Sequence, residues 1–219
     1  MAVESGCSQP PSIDEAGRAR QVLVADPPDT NWRSAVPVLA SDGLTLREIV
    51  HDDALPLLDM LATKDVSRFM SPMPPTLASF GRFAKWIHQQ RTAGQCVAFV
   101  VVPPGFTSPV GVFQMRSLEP GFQTGEWGFA LGSPFWGTGL FASAARLVLD
   151  FAFTTVGVRR LEARACAENR RGNGALQKLG ATPEGVLRRS FLWEGDYHDQ
   201  VLWSILDCDW TGTRRDDAR

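Results

Sequence analysis

One carboxylate, one turn with two glycines and one polar hairpin segment hold most of the chemistry open to this sequence. Glu126 opens the run Glu126-Trp127-Gly128-Phe129-Ala130-Leu131, which alternates as a half-buried strand does. Trp127, Phe129 and Leu131 share one face of that strand, and Glu126, Gly128 and Ala130 share the other. A carboxylate beside small side chains is a candidate proton acceptor with room for a ligand next to it. Shortly after, Trp136-Gly137-Thr138-Gly139 opens into Leu140-Phe141-Ala142. Glycines at a helix entrance let the backbone approach a ligand, and the first-turn N–H groups have no intrahelical acceptor and sit at the positive end of the dipole. That pattern predicts a seat for a phosphate group. The same two glycines would also serve a plain strand-to-helix turn, so the prediction rests on what surrounds them.

The surroundings are elements that could hold such a seat in place. Leu140, Ala144, Leu147, Val148 and Phe151 recur at helical spacing, predicting a helix buried on most of its circumference with Arg146 and Asp150 as its charged pair. A strand is expected near Arg160 to Cys166, completing one strand-helix-strand crossover, and the stretch Asn169 to Ala181 predicts a turn and a helix from Gly174 to Leu179 stopped by Gly180. Val186 to Trp193 and Gln200 to Leu206 read as a hairpin, with Tyr197, His198 and Asp199 in its connection.

In this order and spacing the chain resembles the GNAT superfamily of acyl-CoA-dependent N-acetyltransferases, most closely its RimJ- and RimL-like branch. The motifs are Glu126 to Leu131 with Trp136-Gly137-Thr138-Gly139, then Asn169 with Lys178-Leu179-Gly180-Ala181, then Glu184 to Arg188 closing toward Asp199. The resemblance runs from about Trp32 to Trp210. It implies an α/β (α+β) fold with a mixed, largely antiparallel central sheet flanked by helices, and acetyl-CoA as the cofactor. By the same resemblance the phosphates rest on Trp136, Gly137, Thr138, Gly139, Leu140, Phe141 and Ala142. Pantetheine pairs like an extra strand along Phe129, Ala130 and Leu131, and Asn169 helps to hold the cofactor arm. Glu126 matches the frequent glutamate base, acting through water; Asp199 matches an acid common in the branch that binds substrate or fixes the hairpin; and Tyr197, the only tyrosine, completes the candidate catalytic set. Against the family's Gln/Arg-x-x-Gly-x-Gly/Ala, this chain has Trp136, Gly139 and Phe141, and Gly172 stands where a serine is usual. No tyrosine lies on the predicted helix after Asn169 to act as the common general acid.

The implied acceptor is a peptide or protein N-terminal amine, or else a small-molecule amine. An α-amine with a pKa near ~8 is about a tenth neutral at pH 7, whereas a lysine near ~10.4 is neutral at only a few parts in about ten thousand. An N-terminal acceptor therefore asks less of its base. Two rivals remain at this stage: an acyl-CoA-binding module with little turnover, and a dinucleotide-dependent oxidoreductase. Gly137 to Ala142 also satisfies G-x-G-x-x-G/A, with Glu162 near the ribose-acid distance, but Gly132 to Trp136 intervenes after the strand and only one crossover follows. A P-loop is excluded because no Lys-Ser/Thr follows the glycines.

A chain of 219 residues with net charge −2 suggests one domain over residues 31–210, between a flexible arm over residues 1–30 and a charged tail over residues 211–219. The alternative for the arm is packing on a partner subunit in a homodimer. The near-neutral charge argues against nucleic acid as a partner, and no apolar run reaches membrane-spanning length. Cys7, Cys96, Cys166 and Cys208 lack C-x-x-C or His at ligand spacing, so free thiols in a cytoplasmic protein and no metal are expected. Upstream, Trp32 to Leu39 and Leu44 to Ile49 read as short extended pieces around the turn Ser41-Asp42-Gly43, Asp52 or Asp53 would cap a helix from Ala54 to Leu61, and Phe69 to Pro75 reads as a loop which the resemblance places beside the acceptor pocket. The next helix, Thr76 to Arg91, would turn Phe80, Phe83, Ala84 and Ile87 inward and leave His88 solvated, and Trp86, Trp193 and Trp203 read as core.

Overall fold

Continuous apolar runs and alternating runs pair into one eight-stranded sheet. Its strands are β1 (Leu39–Ser41), β2 (Leu44–Glu48), β3 (Cys96–Val102), β4 (Gly111–Ser117), β5 (Thr124–Leu131), β6 (Arg160–Cys166), β7 (Thr182–Trp193) and β8 (Asp196–Leu206). The computed structural model describes residues 31–70 and 76–210; the expected arm, the tail and residues 71–75 of the expected loop lie outside them. The spatial order is β1-β2-β3-β4-β5-β6-β8-β7, and only β5 and β6 run parallel.

Two apolar layers cover the sheet. Helix α4 (Leu140–Phe151) packs Ala144, Ala145, Val148 and Leu149 against Val97, Phe99, Phe113 and Trp127 on one face. On the other face α1 (Ala54–Leu61) and α3 (Leu77–Thr92) bury Leu57, Leu61, Phe80 and Ile87 against Ala98, Val100 and Ala130. Burial on both faces is why β3 reads as an unbroken apolar run rather than an alternating one. Helix α4 is less enclosed than its spacing predicts: Ala142, Ser143 and Arg146 are exposed, and Asp150 accepts a hydrogen bond from Trp210 Nε1 at 2.7 Å. Among the described residues no helix is long and apolar enough to cross a membrane.

Several local expectations change in three dimensions. Asp53 does not cap α1; its buried carboxylate accepts the Val50 N–H at 2.8 Å and pairs Arg47 at 2.6 Å. His88 is not simply solvated, because Nε2 meets the Ile49 carbonyl at 2.9 Å. Trp86 is an exposed residue rather than core, stacked on Phe83. Before β1, Trp32 to Ser34 forms a turn instead of a strand.

The β7–β8 edge is tied down by charge. Arg160 donates to Glu184 at 2.8 and 2.5 Å and to Glu162 at 2.9 Å, and Ser204 Oγ donates to Glu184 at 2.6 Å. The Arg160 guanidinium, helped by the Ser204 hydroxyl, lowers the Glu184 carboxyl from its ordinary 4.5 to about 2. A depressed folded-state pKa stabilises the protein above the unfolded value and ceases to do so as pH falls through the folded one. Glu184→Gln is therefore expected to lose on the order of 1 kcal/mol at neutral pH, a figure already reduced for solvent screening. Urea denaturation should show the gap from the wild type closing as pH falls from 4.5 toward 2.

Candidate active site

Strands β5 and β6 hold each other only at their beginnings. Thr124, Gly125 and Glu126 pair with Arg160, Leu161 and Glu162; beyond Glu126, β5 continues with β4 to Leu131 and β6 continues with β8 to Cys166. The antiparallel alternation decides what the separated β5 edge offers. Leu118 N–H donates to the Thr124 carbonyl and Gly132 N–H donates to the Val110 carbonyl, so Glu126, Gly128 and Ala130 spend their backbone groups on β4. The Trp127 N–H still bonds β6 in the bridge between Glu126 and Glu162; the Trp127 C=O and the N–H and C=O groups of Phe129 and Leu131 then turn toward the opening, where backbone polar groups need a partner. One is already taken: Trp136 Nε1 donates to the Leu131 carbonyl at 2.8 Å.

The opening runs into the glycine turn. Gly137 and Gly139 have φ of 75° and 87°, in the left-handed region that favours glycine, and a Cβ at either would meet nothing within 4 Å. Gly139 occupies the N-cap of α4 and has no side chain to satisfy the first-turn donors. Thr138 Oγ1 donates to the Phe135 carbonyl at 2.8 Å and accepts only a long 3.4 Å bond from Leu140 N–H. The seat is thus clear of side chains and rich in free donors, which is what an anion requires. Phe141, the departure from the family's small residue, does not fill it. Its ring lies 4.5 Å from that of Phe129 and 5.8 Å from that of Phe113, in the aromatic layer beneath α4. Arg171, from α5 (Arg170–Lys178), places its guanidinium 3.6 Å over the Trp136 ring and so links the two arms across the opening.

Glu126 stands at the closed end, the last β5 position paired with β6. It shares its face with Gly128, where an added Cβ would again meet open space. The carboxylate is not a lone solvated group: Oε2 accepts from Arg116 Nη2 at 2.5 Å across the strand pair. Tyr197 and Asp199 are not brought to it. They lie within β8 rather than in a connection, because the turn is only Glu194 and Gly195, both at positive φ. Glu162, beside Glu126, pairs with Ser204, so at ~3.3 Å per residue Asp199 and Tyr197 stand roughly 16 and 23 Å further along β8. Asp199 Oδ1 accepts the N–H of Arg189 at 2.8 Å, and Arg189 has a φ of 52° in the β7 bulge. Of the two roles expected for this acid, fixing the hairpin is the one its contacts serve.

Asn169 caps a longer helix than the sequence suggests. Its Oδ1 accepts Gly172 N–H at 2.9 Å, and α5 begins at Arg170, before the low-propensity glycines 172 and 174. A Cβ at Gly172 would fall 2.6 Å from Asn169 Nδ2, so the missing serine hydroxyl and the folded-back asparagine go together. Gly172→Ser is expected to push Asn169 out of its cap and cost about 1 kcal/mol of stability by thermal or urea melting. Equal stability of mutant and wild type would show that Asn169 can cap without this close approach.

Sequence reasoning missed Asn173 and Arg116. Asn173 Nδ2 donates to the Cys166 and Asn169 carbonyls, both at 2.9 Å, and its Oδ1 accepts Trp203 Nε1 at 2.8 Å, binding β6, α5 and β8 together. An asparagine one turn after an N-cap was the signal for the first. Nothing local marks Arg116, which meets Glu126 only through strand register.

A glycine-turned helix entrance beside the one parallel strand pair is the site of an acyltransferase rather than of a dinucleotide enzyme. The latter needs a mostly parallel sheet, and Glu162, its candidate ribose acid, is held by Arg160. Residues 43–182 match the family described as an acetyltransferase (GNAT) domain; the chain belongs to this family and is an N-acetyltransferase. Its relatives place it in the RimJ-like branch. It is 27% identical over 194 residues to the ribosomal protein uS5-alanine N-acetyltransferase of Escherichia coli, covering 84% of this chain and 98% of that one. The ribosomal-protein-S5-alanine acetyltransferase of Vibrio fischeri shares the fold with a TM-score of 0.72 at 19% identity, covering 80% and 98% of the two chains. Mycobacterium smegmatis RimJ in complex with CoA-disulfide does so with a TM-score of 0.69 at 22% identity, over 83% and 90%.

Proposed function

We propose that this protein transfers the acetyl group of acetyl-CoA to the α-amine of a peptide or protein N-terminus by direct attack of the amine on the thioester. The observation that carries the reading is the free β5 edge, which runs from a carboxylate at its closed end to an uncapped helix entrance at its open end. The residues present suit coenzyme A. First-turn N–H groups of Leu140, Phe141 and Ala142, with the backbone of Trp136 to Gly139, would take the pyrophosphate. The edge of Phe129 to Leu131 would pair with pantetheine as a strand pairs with a sheet. Bound there, acetyl-CoA supplies the activated acyl group.

In this reading the remaining work belongs to the protein. Backbone N–H groups near Phe129 and Leu131 donate to the carbonyl oxygen as negative charge develops on it. Glu126 receives the amine proton through a water, and Arg116 holds its other oxygen in place. Asn169 and Arg171 close the cofactor's side of the opening. Asp199 keeps the acceptor-side hairpin in shape, and Tyr197 lies on that hairpin with its ring exposed. The name of the Escherichia coli relative, whose acceptor is an alanine of a ribosomal protein, supports an N-terminal substrate over a lysine.

Release of free thiol from acetyl-CoA tests the proposal on three acceptors: peptides with free N-termini, the same peptides N-formylated but carrying lysine, and polyamines. Turnover confined to free N-termini is expected, with thermal stabilisation by CoA and none by NAD(P)H. Turnover only on lysine or polyamines would reassign the acceptor.

A further inference from the structure

We propose that Arg164, Arg188 and Arg189 form an anion-binding subsite beside the acceptor position, which selects peptides carrying a side-chain carboxylate at their second or third residue. The inference rests on the N-terminal acceptor proposed above and names that acceptor's chemistry. An open cavity of about 850 Å³ lies against β6, β7 and β8, and Arg164, Arg188, Arg189, Ser190 and Asp199 are among the residues that line it. Three guanidinium groups face one carboxylate there, and that carboxylate accepts the Arg189 N–H at 2.8 Å. Clustered guanidinium groups suit a carboxylate ligand, which they bind by charge-assisted hydrogen bonds.

Strand register ties the cavity to the reaction centre. Glu126 and Glu162 are partners in the last bridge between β5 and β6, so Arg164, two residues on, shares their face and stands ~7 Å further along. Its counterpart on β5 is Gly128, the bare position beside the proposed base. An extended acceptor whose amine lies in that opening advances ~3.3 Å per residue, so its second and third side chains come within reach of a long arginine.

A bulge in β7 brings the other two arginines. Leu187 pairs with Gln200 and Phe191 with His198, so Arg188, Arg189 and Ser190 together lie opposite Asp199 alone. Arg189 has a φ of 52°, a conformation that a non-glycine residue keeps only where its surroundings impose it. Asp199 accepts its N–H, Ser190 Oγ donates to the Leu187 carbonyl at 2.9 Å, and the Arg189 guanidinium rests 5.7 Å over the Tyr197 ring. Bulges re-aim side chains, and this one sets two cations at the cavity. Nearby acids do not compete for them. Glu126 pairs with Arg116 at 2.5 Å, Glu162 with Arg160 at 2.9 Å, and Glu168 with Arg68, the residue after α2 (Lys64–Ser67), at 3.7 Å. Arg164 and Arg188 form no ion pair among the described residues, which leaves their charge for a ligand.

Thiol release from acetyl-CoA is to be measured on free-N-terminal peptides that differ only in having glutamate, glutamine or lysine at residues two and three. The wild type should give the glutamate peptides about tenfold higher kcat/KM than the glutamine peptides, the scale of one charge-assisted hydrogen bond partly exposed to water, with lysine peptides lower still. Added salt should narrow the gap. All three arginines are exposed, so their variants should fold. Arg164→Gln and Arg188→Gln should each reduce the preference, Arg164→Glu should move it to the lysine peptides, and Arg159→Gln, just before β6, should leave it unchanged. The KM for acetyl-CoA should stay constant throughout. A raised KM for acetyl-CoA with unaltered peptide ranking would assign the arginines to a cofactor phosphate and overturn the subsite, as would a wild type indifferent to charge at these residues. Calorimetric titration of the same peptides into the CoA-bound protein reads the subsite without turnover. Selective binding of the glutamate peptides with no acetyl transfer to them would defeat the N-terminal reading and keep the subsite; equal binding of glutamate and glutamine peptides would overturn it.

Discussion

Gly139→Asp is expected to give a folded protein whose affinity for coenzyme A falls by at least about a hundredfold. The substitution puts a carboxylate at the N-cap of α4, where the proposal seats a pyrophosphate on first-turn N–H groups. Two unit charges 4 Å apart repel by about 4 kcal/mol at an effective dielectric of 20, or roughly a thousandfold, and solvent screening reduces this toward about a hundredfold. The backbone is at φ 87°, so any side chain brings strain there. Gly139→Asn carries nearly the same strain and size without the charge, and Asn and Asp both tolerate this conformation better than most residues. Calorimetric titration of the pair therefore isolates the electrostatic effect: Asn should bind CoA within several-fold of the wild type, and Asp should not. Equal affinity of the two variants would move the phosphate seat away from Gly139.

Glu126→Gln is expected to lower turnover by about 10²-fold, the usual scale of a lost general base, with little change in CoA affinity. Glutamine keeps the size of the side chain and can still accept the bond from Arg116, which stands 2.5 Å from Glu126 Oε2. The loss should be greatest near neutral pH, where an α-amine is mostly protonated, and should shrink as pH rises and more of the amine arrives neutral. Arg116→Met complements this test. If Arg116 only orients the carboxylate, the variant should retain the pH dependence of the wild type with a smaller loss in rate. An unaltered pH–rate profile in Glu126→Gln would exclude it as the base, and the search would turn to other groups on the same face of the sheet.

Much of the framework is legible in the sequence because the forces that set it act between near neighbours along the chain. Alternation from Glu126 to Leu131 and the helical period from Leu140 to Phe151 each report one buried face, and Gly137 and Gly139 mark a backbone only glycine enters cheaply. Those same residues carry the family resemblance, so the fold class and the seat could be expected together. Local reasoning fails where two local preferences compete. Glycines 172 and 174 argue for a late start to α5, yet the Asn169 cap and the Asn173 bonds begin it four residues sooner than the expected Gly174.

What only the tertiary structure decides depends on register and packing. Arg116 reaches Glu126 because β4 and β5 pair Arg116 with Glu126, and a register shift of one residue would send the two side chains to opposite faces. Phe141 leaves the phosphate seat open because Phe113 and Phe129 offer it an aromatic layer to enter. His88 finds a carbonyl 39 positions away, and His198 meets Glu168 across 30. Composition and spacing carry no signal of such meetings, since they exist only after the sheet has fixed which strand edges face one another. The β5 edge is the same case. That its backbone groups beyond the Trp127 N–H have no strand partner follows from where β6 ceases to pair with it, a property of two strands and of neither alone.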